Sequence, residues 1–152
     1  MLIGEYTVKL GDKKRLAIPK KFREEQGTKL IITKGYENSL VIVNQNQWEQ
    51  IAGEVTNGSF ISKDIRETTR FLVGSANELE FDEQGRFVVP TSLLEYAGLG
   101  SEVVFVGLIN WVEVWDKKKW EEKNQYLLKH NEEIAERLNE SKSIKSQNIG
   151  IA

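Results

Sequence analysis

The sequence has no cysteine among its 152 residues, which removes a disulfide framework, a thiolate metal site and a thiol nucleophile at once. It has a single histidine, His130. That residue lies in a strongly charged carboxy-terminal stretch with no nucleophile arrangement beside it, so a solvated surface role is expected rather than catalysis. No run approaches the ~20 apolar residues that span a bilayer. The amino end, Met1 followed by Leu-Ile-Gly-Glu-Tyr, lacks the basic segment and long apolar core of a secretion signal. A cytoplasmic protein without a membrane partner is the expectation. No glycine-rich phosphate cradle ends in Lys-Ser or Lys-Thr, and the carboxylates show no metal-ligand spacing. The acidic run Glu78, Glu80, Asp82 and Glu83 reads instead as the polar face of a strand. Enzyme, metal and cofactor readings therefore lack their residues, and no small-molecule substrate is expected.

What is present suffices for a core: 39% hydrophobic and 29% charged residues suit a folded chain rather than a disordered one. Independent domains usually run ~100 to 200 residues, so one shared core is expected. The net charge of −2 conceals a segregation. Residues 1–35 carry nine Lys or Arg against four acids, whereas residues 76–107 carry one Arg against six. A basic segment of this kind hints at a surface that faces a polyanion, although many charge runs are only solvated faces.

The sequence also repeats itself. Val8–Gly27 aligns without gaps onto Leu79–Gly98, a shift of 71 residues. Arg15 meets Arg86, Pro19 meets Pro90, Glu24 meets Glu95 and Gly27 meets Gly98; Leu16, Ala17 and Ile18 meet Phe87, Val88 and Val89, and Phe22 meets Leu93. After a one-residue insertion, Gly35 meets Gly107, Asn38 meets Asn110 and Trp48 meets Trp120. The chain has only two prolines, and both fall in the same slot. Such self-similarity marks a duplicated supersecondary unit.

Each copy reads as two hairpins around a short helix. Val8–Leu10 and Leu79–Phe81 alternate as strands, turn through Gly11–Lys14 and Asp82–Gly85, and return through a second apolar strand. Pro19 and Pro90 open a short helix, and Gly27 and Gly98 stop it. Leu30–Thr33 and Leu40–Val43 supply the next strands of the first copy, Glu102–Val106 and Val112–Trp115 those of the second. Gln45–Ala52, Ser62–Val73 and Lys117–Leu138 are expected helices, the last with Trp120, Leu127, Ile134 and Leu138 on one stripe. The tail from Ser141 shows no period and is expected to be mobile. A half of ~45 residues buries too little to stand alone, so the copies should pack as a pseudo-two-fold pair, with further apolar surface for a symmetric oligomer.

The segments LIGEY, DKKRLAIPKKFRE, ELEFDEQGRFVVPTSLLEYAG, VVFVG and VWDKKKWEE, in this order and over nearly the whole chain, resemble the MraZ family of bacterial regulators built from two SpoVT/AbrB-like units. The resemblance implies an α+β, mainly β fold of two swapped-hairpin repeats with flanking helices. It implies a unit at 5–47, a helical linker at 48–75, a second unit at 76–119, a carboxy-terminal helix at 120–140 and a tail at 141–152. It further implies a ring-shaped homo-oligomer in the cytoplasm, associated with the nucleoid, that binds repeated guanine-rich boxes upstream of the division and cell-wall genes. The family carries an Asp-x-x-x-Arg signature in each copy. Asp82 to Arg86 matches it, but in the first copy Gly11 stands at the Asp position and Lys14 at the position of Gly85. Gly11 is expected to take over the permissive backbone role, while Lys14 adds a cation that shifts the first turn toward stronger, less exacting phosphate contact.

Double-stranded DNA is thus the expected partner. The expected contacts are Lys13, Lys14, Arg15, Lys20, Lys21 and Arg23 with Arg86 from the second copy, and Gly11, Asp12, Asp82 and Gly85 shape the turns. Lysines position the duplex through phosphates. Arg15 is the candidate for base readout, because a guanidinium pairs with both O6 and N7 of guanine. Arg86 sits among Glu80, Asp82 and Glu83, so a structural ion pair competes with DNA contact there. Trp111, Trp115 and Trp120 fit core or subunit-contact roles better than base stacking. Attraction between the basic first copy and the acidic second copy of a neighbour would favour a head-to-tail ring. The competing class is an interaction scaffold without DNA binding; RNA binding is more distant, since no exposed aromatic platform is evident.

Overall fold

Alternating apolar residues and two matched Pro-to-Gly intervals set the elements. The computed structural model describes residues 1–151, with side-chain environments through 146; residue 152 of the expected tail lies outside the described residues. In chain order it runs β1 (Ile3–Lys9), a tight turn (Asp12–Lys14), β2 (Arg15–Ala17), α1 (Lys20–Gln26), β3 (Leu30–Lys34), β4 (Leu40–Asn44) and α2 (Gln45–Thr56). It continues through α3 (Lys63–Leu72), β5 (Asn77–Glu78), β6 (Arg86–Val88), α4 (Thr91–Ala97), β7 (Glu102–Leu108), β8 (Val112–Asp116) and α5 (Lys117–Ile151). Pro19 and Pro90 cap α1 and α4 at matching positions, where a missing N–H costs nothing. Asn44 and Ser62 cap α2 and α3 by accepting from the backbone N–H of Gln47 and Ile65.

The fold is α+β with a mainly antiparallel sheet. Six strands lie in the order β1-β7-β8-β4-β3-β5, and β2 and β6 form a separate two-stranded ribbon. The hairpins β3–β4 and β7–β8 stay within their copies. The expected hairpin of β1 with β2 does not: β1 pairs with β7, β5 with β3, and β2 with β6, each across the repeat. Neither half has enough sheet to cover its own core, so exchange of strands turns two half-cores into one. Leu16 faces its counterpart Phe87 in the middle of the ribbon, and Val41 faces Glu113 in the middle of the β4–β8 ladder. A position opposite its own counterpart is the signature of a two-fold relation, here inside one chain.

The repeat-matched residues are the centre of the core. Leu16, Phe22 and Leu93 are fully buried and Phe87, Ile18 and Val89 nearly so, in one cluster with Leu30, Ile32, Leu40, Ile42, Val103, Phe105, Val112 and Val114. Trp115 is buried, as expected. Helix α3 is tied to the sheet by the Thr33 hydroxyl donating to the Leu72 carbonyl.

The strand expected at Leu79–Phe81 ends at Glu78: β3 begins at Leu30, so once Leu79 donates to the Leu30 carbonyl no strand residue remains to pair with. Only Glu78 of the acidic run therefore lies in a strand, while Asp82 and Glu83 belong to the turn that precedes β6. The helix expected to end at Leu138 continues to Ile151, since residues 139–149 contain neither proline nor glycine to break it. Met1–Lys117 forms one unit and the rest of α5 a second. Along that helix the stripe residues Leu127 and Leu138 are exposed, and His130 lies against Tyr126 and Glu133. No helix among the described residues is long and apolar enough to cross a membrane.

Truncating Phe87 to Ala should cost about 3 to 5 kcal/mol, whereas Val88→Ala, one residue along on the exposed face, should stay within about 0.5 kcal/mol. Urea unfolding of both variants checks this; equal losses would place the core elsewhere.

Candidate nucleic-acid interface

A two-stranded ribbon has two faces with side chains in alternation. Leu16 and Phe87 point from β2 and β6 into the core, so Arg15, Ala17, Arg86 and Val88 take the outer face. The register sets Arg15 opposite Val88 and Ala17 opposite Arg86. Two guanidinium side chains therefore occupy symmetry-related corners of one outward face, and Val88, 58% exposed, lies opposite Arg15 on that face. Lys13, Arg15, Glu80, Phe81, Asp82, Arg86 and Val88 line an open groove of about 430 Å³ beside the ribbon.

The second turn is built around Asp82. Its Oδ1 accepts from the backbone N–H of Gln84 and of Arg86, each at 2.9 Å, and its Oδ2 accepts from Arg86 Nε at 2.9 Å. The Arg86 backbone N–H is the largest influence on the Asp82 carboxyl; against an opposing desolvation that ranks second, and with lesser help from the Arg86 guanidinium and the Gln84 N–H, it holds that carboxyl below its ordinary pKa. Gly85 takes φ 76°, and a Cβ built there would meet Arg23 Nη1 at 1.4 Å. Arg23, from the helix of the first copy, thus lies across the turn of the second. It is half-buried there, whereas Lys20 and Lys21 on the same helix are exposed.

The first turn shares the closing hydrogen bond of the second but not its backbone path. Gly11 N–H donates to Arg15 O at 2.9 Å, as Asp82 N–H does to Arg86 O. Gly11 does not take the permissive role expected of it: its φ is −82° with extended ψ. The left-handed positions are Lys13 and Lys14, at φ 58° and 57°, and Lys14 thereby holds the conformation of Gly85 with a side chain attached. That conformation costs an L-residue roughly 1 to 2 kcal/mol, and strain of this size persists where surrounding contacts over-determine the turn. Here the Lys14 carbonyl accepts from Val89 N–H at 2.9 Å.

With glycine at position 11, Arg15 has no carboxylate of its own. Its Nε reaches only the Asp12 carbonyl, at 3.4 Å, and its Nη1 lies 3.9 Å from Oδ2 of Asp82. One carboxylate therefore stands against two arginines, one from each copy. The sequence offered Asp82 as a partner for Arg86; its second partner required the β2–β6 pairing, which sets the two turns side by side. The same pairing brings Glu80, Phe81 and Val88 into the groove, none of which the sequence singled out as an interface residue. Trp111 lies apart, with Trp48 and Tyr36, in a second groove of about 450 Å³.

Gly85→Ala should destabilise the protein by about 1 to 2 kcal/mol through its φ, because the flexible end of Arg23 that lies at the new Cβ can swing aside. The same loss is expected in the Arg23→Ala background; a clearly smaller loss there in thermal unfolding would mean that Arg23 is held rigidly against the turn. For Asp82, a carboxyl-carbon NMR titration should give a midpoint below the ordinary Asp value. Its folded pKa is depressed, so its stabilising contribution is full above the unfolded pKa and disappears as pH falls through the folded one. An unshifted midpoint would refute the assigned hydrogen bonds.

Comparison with known proteins follows the same two-part division. The family model described as "MraZ protein, putative antitoxin-like" matches twice, over residues 1–71 and 72–141. The protein named Transcriptional regulator MraZ from Syntrophomonas wolfei subsp. wolfei is 41% identical over 138 residues, covering 91% of this chain and 96% of the relative. The proteins of that name from Clostridium tetani and Acetivibrio thermocellus are 38% and 41% identical over 140 and 138 residues, covering 92% and 91% of this chain and 98% and 96% of theirs. With a family match on both copies of the repeat and relatives of this identity along almost their full length, the chain belongs to the MraZ family.

Proposed function

We propose that this chain is a transcriptional regulator that grips double-stranded DNA with the β2–β6 ribbon and its two turns. The observation that carries the reading is the pair of arginines, Arg15 and Arg86, at symmetry-related corners of one outward, partly exposed face of an antiparallel ribbon. The major groove of B-DNA admits such a ribbon, and each arginine bonded to O6 and N7 of a guanine contributes ~1 to 3 kcal/mol of discrimination. Lys13, Lys14, Lys20 and Lys21, all exposed, supply phosphate contacts, and Arg23 holds the second turn in shape. Gly11, Asp12, Asp82 and Gly85 set the two turn geometries, the first less exacting than the second. The name Transcriptional regulator MraZ, carried by relatives of ~40% identity, supports the regulatory role.

A ribbon of three residue pairs covers little DNA, so repeated boxes need repeated subunits. Linking weak contacts raises avidity by ~10² to 10⁴-fold where subunit and box spacing agree. We infer a ring-shaped homo-oligomer in the cytoplasm, associated with the nucleoid, on guanine-rich boxes upstream of the division and cell-wall genes; this part rests on the family resemblance. No catalytic step and no cofactor enter the reading.

Replacing Lys13, Lys14 and Arg15 together by Ala should abolish retention of the duplex upstream of the protein's own gene in a gel shift. Wild-type binding should weaken steeply with salt, each phosphate contact contributing ~0.9 to the slope of log K against log salt. Circular dichroism and light scattering check that fold and assembly survive. Undiminished retention by the variant would sink this surface, and a wild-type protein that retains no duplex at either salt would favour a protein scaffold.

A further inference from the structure

The arrangement of charges on the ribbon is unequal in a way that the repeat alone does not require. Two arginines face outward, and a single carboxylate lies within reach of both, at 2.9 Å from Arg86 Nε and 3.9 Å from Arg15 Nη1. Both contacts are partly open to solvent, the Asp82 side chain being about one-third exposed. A duplex that docks on this face brings phosphates and base edges toward the same carboxylate, and the two respond differently to its charge. A phosphate carries a full negative charge and is repelled. The guanine edge is neutral and offers only hydrogen-bond acceptors. The carboxylate also fixes the direction of the Arg86 guanidinium, because Oδ2 holds Nε while Oδ1 holds the backbone N–H of the same residue.

We propose that Asp82 is a specificity-determining residue for both copies: it orients Arg86 and, across the repeat, restrains Arg15, while its charge disfavours arbitrary phosphate contact on the ribbon. The inference rests on the DNA-binding reading above and adds to it a residue that works by exclusion. A protein discriminates by weakening the wrong complex as well as by strengthening the right one. The first copy has lost its own carboxylate to Gly11 and gained Lys13 and Lys14 in left-handed backbone. Without Asp82, Arg15 would have no carboxylate within ion-pair distance among the described residues. Placement of the acid in the other copy restores the restraint, and only the antiparallel β2–β6 register makes this possible.

The test uses the full-length protein, fluorescence anisotropy, and two duplexes: the DNA immediately upstream of its own gene, and a shuffled duplex of the same length and base composition. Asp82→Asn keeps an Oδ1 acceptor for the N–H groups of Gln84 and Arg86 and removes the charge. Binding to the shuffled duplex should rise by about 3- to 10-fold at low salt, and the ratio of upstream to shuffled affinity should fall by a similar factor. Adding Gly11→Asp to that variant returns a carboxylate to the first turn and should recover part of the ratio. Asp82→Glu, which keeps the charge, should stay nearer the wild type than Asp82→Asn does. Equal weakening on both duplexes, or an unchanged ratio, would reduce Asp82 to a brace of the turn and overturn the proposal. If Asp82→Asn does not fold, Gly11→Asp alone decides: it should lower shuffled binding more than upstream binding, and no change in the ratio overturns the proposal. A wild-type protein that binds neither duplex is a different failure, since it removes the DNA-binding reading itself and this inference with it.

Discussion

Everything in this molecule depends on each half being too small to bury its own core. A unit of about 45 residues cannot remove enough apolar surface from water to offset its chain entropy. The sequence meets this by duplication and the fold by exchange: the first strand of each copy leaves its own hairpin and completes the sheet of the other. The result is one core in which Leu16 and Phe87, counterparts in the repeat, meet at the centre of a shared ribbon. Independent halves on a flexible linker would leave the relative placement of the two turns open. Exchange fixes it, because the ribbon that joins the turns is itself a product of the exchange.

That placement gives the candidate interface its character. Both turns close with the same backbone hydrogen bond, so the way they join the ribbon survives, although the first passes through two left-handed residues and the second through one. The divergence is chemical. The second turn has a carboxylate, a glycine at positive φ and an arginine from the other copy lying across it; the first has two lysines in left-handed backbone and no carboxylate. A pseudo-symmetric scaffold thus presents two unequal sites, one exacting and one strongly cationic. Under the proposed function, such a division separates attraction to a duplex from discrimination among duplexes.

Much of this was legible in the sequence. The Pro-to-Gly intervals located α1 and α4 because proline and glycine act on the backbone locally, without need of neighbours. The apolar runs located β3, β4, β7 and β8, since strands buried on both faces read as continuous hydrophobic segments. The strand expected at Leu79–Phe81 was misplaced for the opposite reason: its apolar residues are turned inward, but whether they lie in a ladder depends on where a distant strand begins. The end of α5 escaped because a helix without breakers persists beyond the stripe that reveals it. At the site, Arg15, Arg86, Asp82 and the lysines were visible as residue types, and Gly11 was visible as a substitution. Its φ was not, because the chain chose to strain Lys13 and Lys14 instead, and that choice is made by hydrogen bonds such as the one from Val89 to the Lys14 carbonyl.

By itself the sequence determined the duplication, the family, the nature of the core and the concentration of cations near one turn, because each of these is written in local composition and spacing. Only the tertiary structure decided which strands pair, that Asp82 lies within reach of arginines from both copies, and that Arg23 lies against a turn 62 positions away at Gly85. Those contacts join residues remote in the chain, and their existence follows from an antiparallel register that no local pattern encodes.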